Sequence, residues 1–98
     1  MSDAPLYLTV HARPRPEQTD DAKALLTEMI AASRTEDGCE LMEFVADEQD
    51  PLAWMVFERW SSRSLWEAHA ATERNAHDGA RLAPMLAEPL TLRFFVPS

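Results

Sequence analysis

The chain has 98 residues, 46% of them hydrophobic and 27% charged, with 17 acidic against 9 basic side chains and a net charge of −8. That length allows a single domain over residues 1–98, with a marginal core if it stands alone. The acidic balance argues against a nucleic-acid backbone or an anionic membrane as partner, since both need clustered lysine and arginine, and no apolar run is long enough to cross a bilayer.

Met1-Ser2-Asp3-Ala4-Pro5 has neither the basic flank nor the apolar core of a targeting segment. Leu6 to Ala12 alternates and predicts a strand, which Arg13-Pro14-Arg15-Pro16 ends because proline cannot donate to a ladder. From Glu17 to Arg34, Ala22, Leu25, Leu26, Met29 and Ile30 fall on one helical face. Asp20 and Asp21 near its start, Arg34 at its end and Gly38 beyond agree with the helix dipole and a C-terminal stop.

Cys39 to Ala46 predicts a second strand, and Asp47-Glu48-Gln49-Asp50-Pro51 a turn into a third over Leu52 to Trp60. Ser61-Ser62 offers a helix cap, a helix runs to about Thr72, and a further helical piece covers Glu73 to Leu82. Pro84 opens a last turn through Ala87, and Leu90 to Val96 predicts the fourth strand. Cys39, the only cysteine, excludes an internal disulfide, and a reducing cytoplasm is expected.

The order β-α-β-β-α-β is the split βαβ arrangement of an α+β, ferredoxin-like domain. Its four-stranded antiparallel sheet carries the helices on one face, with the first and third strands at the centre. The uncovered face would expose Met55, Phe57 and Phe95, a patch that soluble monomers rarely leave wet. A homodimer through that sheet face is therefore expected; the alternative is a C-terminal segment folded over it.

Chemistry gathers around Glu58, Trp60 and His69. Glu58 shares an apolar face with Val56 and Trp60, where burial favours the neutral carboxyl unless a partner compensates. It could act as a base or bind a hydroxyl; equally it could be a structural acid paired with Arg13, Arg93 or a backbone amide. Trp60 could wall a planar ligand or close the core. His69, one turn past Leu65, could take a proton from a phenol or be a satisfied, half-buried imidazole. Trp54, Trp66 and Val10 are the candidate substrate contacts. His11 and His77 form no tight pair with His69 and no cysteine cluster exists, so no metal is expected. No glycine-rich phosphate loop or nucleophile elbow occurs either.

Phe57-Glu58-Arg59-Trp60, the serines after it, and His69 nine positions on resemble the antibiotic biosynthesis monooxygenase family. So do Asp37-Gly38-Cys39, Asp50-Pro51 and Leu82-Ala83-Pro84-Met85-Leu86; Pro16-Glu17 departs from the family's usual proline-glycine. The resemblance implies a dimeric α+β barrel with a pocket between sheet and helices, and oxidation of quinols or polycyclic phenols by molecular oxygen without a cofactor. Related dimers degrade haem with an asparagine, a tryptophan and a histidine; Trp60 and His69 match two of these in kind, but the first strand has no asparagine. The expected activity is thus a cofactor-independent monooxygenase taking a small aromatic molecule and oxygen. A non-oxidative isomerase or a non-catalytic, stress-associated binding dimer are the alternatives.

Overall fold

The computed structural model describes residues 4–98; Met1, Ser2 and Asp3, the start of the stretch read for a targeting segment, lie outside them. The chain runs β1 (Leu6–Ala12), α1 (Thr19–Ser33), β2 (Cys39–Ala46), β3 (Trp54–Trp60), α2 (Arg63–Ala70), α3 (Glu73–Leu82) and β4 (Thr91–Phe95). Single 3-10 turns stand before α1, at Pro16–Gln18, and after α3, at Ala83–Met85. Both hold a proline in their first turn, where its missing N–H costs nothing.

The strands form one antiparallel sheet in the order β2-β3-β1-β4. Leu6 stands opposite Trp60 and Ala12 opposite Trp54, so β1 and β3 are central and fully paired. The helices lie on one face. Leu6, Leu8, Val56 and Trp60 of the sheet are buried against Leu25, Leu26 and Ile30 of α1 and Leu82 of α3. Each such aliphatic side chain stabilises the fold by about 1.5–3 kcal/mol.

The dimeric α+β barrel is corrected here: the sheet is open, with β2 and β4 as its two edges. With strands turning by about 20–25° from one to the next, the four strands leave the β2 and β4 edges apart and unjoined. The C-terminal segment does not fold over the uncovered face either, since β4 pairs along β1 in the plane of the sheet.

That uncovered face carries Leu41, Val45 and Phe95, which are 37%, 43% and 41% exposed, beside half-buried Tyr7, Met55 and Phe57. On the helix side, Leu92 and Phe94 of β4 are also about two-fifths exposed, because the helices make their main strand contacts with β2 and β3. Arg13 clamps the β2–β3 turn to the end of β1 through a 2.6 Å bond from Nη2 to Oδ2 of Asp50. Among the described residues, no helix is long and apolar enough to cross a membrane.

Candidate functional site

Alternation along β3 sends Trp54, Val56, Glu58 and Trp60 inward, and all four are buried. Glu58 is 6% exposed, between Leu8 of β1 and Met42 of β2 in the ladder. Burial pushes its carboxyl above the ordinary value, partly opposed by the hydrogen bond from Trp60 and the nearby His69. Trp60 Nε1 donates to Glu58 Oε1 at 2.8 Å. Among the described residues neither arginine expected for a structural acid pairs with it: Arg13 is bound to Asp50, and Arg93 lies over the ring of Phe95.

His69 is placed by the caps around it. Ser62 accepts from the Leu65 amide and starts α2; Thr72 accepts from the Asn75 amide and starts α3, so the chain breaks just after His69. The imidazole lies against the Trp60 indole, with ring centres 4.8 Å apart and planes at 33°. Its Nδ1 is 2.9 Å from Oε1 of Glu36.

Glu36 is the residue that sequence reasoning missed. It precedes Gly38, whose φ of +89° lets the chain turn into β2 with Leu65 of α2 close against it. The signal was available in the strand register: Cys39 pairs with Trp60, so the loop before β2 must lie beside the helix that follows β3.

Between sheet and helices lies a cavity of about 300 Å³. Leu8, Val10 and Val56 form its sheet wall, and Met29 and Ile30 of α1 face them. Leu90, Leu92 and Trp66 lie at its rim near β4, where Trp66 also meets Phe94 edge-on. Four polar side chains reach it: Ser33, Glu58, His69 and Asn75. Ser33 donates to the Met29 carbonyl and Asn75 donates one amide N–H to the Ala70 carbonyl; Glu58 and His69 are the two titratable groups among the four.

Of the six candidates from the sequence, the fold brings Val10, Glu58, Trp66 and His69 to this cavity. Trp60 stands behind Glu58 and His69, completely buried, and touches both. Trp54 stands at the other end of β3, edge-on to Phe44, with Nε1 bonded to the Pro51 carbonyl at 2.9 Å. His11 and His77 are exposed. Burial pushes the Cys39 thiol up, away from a thiolate. Among the described residues, no three histidine, cysteine or acidic side chains gather as a metal site.

Residues 5–77 match the family model of antibiotic biosynthesis monooxygenase. The chain belongs to this family. Rv0793 of Mycobacterium tuberculosis is 27% identical over 94 residues, covering 96% of this chain and 92% of Rv0793. The solved structure of Rv0793 superposes with a TM-score of 0.90 at 25% identity, over 97% of this chain and 96% of that one. An uncharacterised Synechocystis protein, sll1783, is 26% identical over 95 residues; the match spans 96% of this chain and 64% of that protein. A conserved protein of Methanosarcina mazei, at 14% identity, shares the fold with a TM-score of 0.89, over 95% of this chain and 92% of its own. The stretch that matches the antibiotic biosynthesis monooxygenase family contains Glu36, Glu58, Trp60 and His69, and stops before β4.

Proposed function

We propose that this member of the family is a cofactor-independent monooxygenase acting on a quinol or a polycyclic phenol. The observation that carries the reading is the cavity itself: largely apolar walls, with two titratable groups, Glu58 and His69, both against Trp60. Rv0793, named as a candidate monooxygenase, lends the reading support.

A flat aromatic ring enters past Trp66 and lies between the sheet and α1. His69 takes the phenolic proton. Glu58, whose carboxyl burial pushes above the ordinary value, donates a hydrogen bond from its protonated form to a ligand oxygen and orients it. The resulting phenolate passes one electron to oxygen, and the two radicals recombine into a peroxide. Loss of water leaves a carbonyl on the ring, so a phenol with a free ring C–H and one oxygen molecule give a quinone and one water. No outside reductant is needed. The apolar walls keep bulk water from the anion.

Oxygen uptake with a panel of hydroquinones and polycyclic phenols tests this. Stoichiometric uptake with quinone formation, lost in His69→Ala, is expected. Uptake unchanged in both His69→Ala and Trp60→Phe would defeat the assignment, and turnover without oxygen would point to an isomerase instead.

The same proposal includes a homodimer through the uncovered sheet face. Leu41, Val45 and Phe95, all more than a third exposed there, support it. Sedimentation should give a dimer at micromolar concentration, which Phe95→Asp converts to monomer; a stable wild-type monomer would end the idea.

A further inference from the structure

We propose that Glu36 is a positioning residue for His69: it holds the imidazole with its proton on Nδ1, so that the Nε2 lone pair is the one offered to the cavity. This rests on the reading of His69 as the group that accepts a proton there.

The argument begins with what each group can donate. An ionised carboxylate only accepts, so the ring must donate to Glu36 Oε1 across their 2.9 Å contact. A neutral imidazole carries a single N–H, and here the contact uses Nδ1. Nε2 then bears the lone pair, and it has no hydrogen-bond partner among the described residues. His69 lines the cavity, so its free nitrogen is the one available to a ligand.

The pair is well sheltered. The side chains of His69 and Glu36 are 12% and 27% exposed, which strengthens their attraction over that of a surface pair. Arg74, which lines a small pocket with Glu36 and His69, is directed instead to Asp78 at 3.5 Å on α3. Trp60 covers one face of the imidazole and restrains its tilt.

The loop bearing Glu36 is itself fixed to the helix bearing His69. The Glu36 amide donates to the Ser33 carbonyl at 3.0 Å, and its carbonyl accepts from the Cys39 amide at 3.2 Å. Ser61, just before α2, donates to the Gly38 carbonyl at 2.8 Å. Carboxylate and imidazole therefore come from two segments locked together at their bases, as a device for orienting a ring requires.

Two-bond proton–nitrogen correlation spectra of the labelled protein, recorded where His69 is neutral, report the tautomer directly. In the wild type, Nδ1 should give a protonated and Nε2 an unprotonated nitrogen shift. Glu36→Gln, which keeps the shape but can also donate, should mix or reverse the two. It should lower kcat by roughly 10–100-fold with KM little changed, and Glu36→Asp should restore part of the loss. A wild-type spectrum with the proton on Nε2, or an unchanged tautomer in Glu36→Gln, overturns the assignment. If the wild type shows the Nδ1 proton but consumes no oxygen with any phenol, the positioning role stands and the monooxygenase reading falls.

Discussion

The indole N–H of Trp60 donates to Oε1 of Glu58 at 2.8 Å, from a residue two places along the same face of β3. The bond joins a completely buried ring to a nearly buried acid. It leaves Oε2 of Glu58 without a hydrogen-bond partner among the described residues, at the wall of the cavity. The third member of the group, His69, lies on the same indole. Trp60 thus fixes two polar groups relative to each other while the ligand space lies on their far side.

Burial of Glu58 predicts a pH dependence of stability. Its carboxyl is raised above the ordinary value of 4.5, so the folded protein holds this proton more tightly than the unfolded chain does. The stability that follows is present below that ordinary value and is lost as pH rises through the folded value. Urea unfolding of the wild type and Glu58→Gln from pH 4 to 8 should therefore diverge, with the variant gaining relative stability as pH rises. Parallel profiles would mean that Glu58 is ionised in the fold as easily as in water.

The Trp60–Glu58 bond should appear as a coupling energy. Trp60→Phe removes the donor and part of a packed ring, at a cost of about 2–4 kcal/mol. Part of that cost is the stranded carboxyl, so it should shrink by about 1 kcal/mol when Glu58 is already leucine. A double-mutant cycle by chemical denaturation measures the term, and strict additivity would show that the bond contributes nothing.

How much of this was legible in the sequence depends on what each signal encodes. Alternation and capping residues report local conformation, so β2 and α3 begin and end at the residues the pattern marks, Cys39 to Ala46 and Glu73 to Leu82. β3 begins two residues later than its apolar run, because Leu52 and Ala53 close the hairpin: the Ala53 amide donates to Asp50 and its carbonyl accepts from Asp47. Alternation also gives a side chain's face but not its depth or its place along the sheet. Trp54, Val56, Glu58 and Trp60 share a face, yet the cavity lies under the middle of β3 and reaches only Val56 and Glu58. The four strands are legible in the alternation, but the barrel came with the resemblance alone, and no residue pattern of one chain records how its sheet edges close. Glu36 escaped because its role needs a strand register and a loop reach together.

The two glycines should respond oppositely to alanine. At Gly38, φ is +89° and an added Cβ would sit 2.7 Å from both Cβ and Cδ1 of Leu65. Gly38→Ala should cost at least about 2 kcal/mol from the left-handed backbone and the clash with α2. At Gly79, inside α3, an added Cβ meets nothing within 4 Å. Gly79→Ala should stabilise by roughly 0.5–1 kcal/mol. Thermal unfolding of the pair decides it, and equal shifts would contradict the geometry around Gly38.

Ligand entry should be reported by one tryptophan and blocked from one strand. Trp66 lines the cavity, whereas Trp54 and Trp60 do not. Quenching of tryptophan fluorescence by a bound hydroquinone should therefore lose its larger part in Trp66→Phe and persist in Trp54→Phe. Val10 faces the same space from β1, and Val10→Phe would place a phenyl ring in a volume of about 300 Å³. Because the ring goes into empty space, its cost in stability should stay below the roughly 1–3 kcal/mol typical of overpacking. Ligand affinity should fall at least about tenfold, the effect of 1.4 kcal/mol lost from binding. If Val10→Phe folds normally and binds the hydroquinone as tightly as the wild type, the ligand sits elsewhere, and the roles given to Glu58 and His69 go with it.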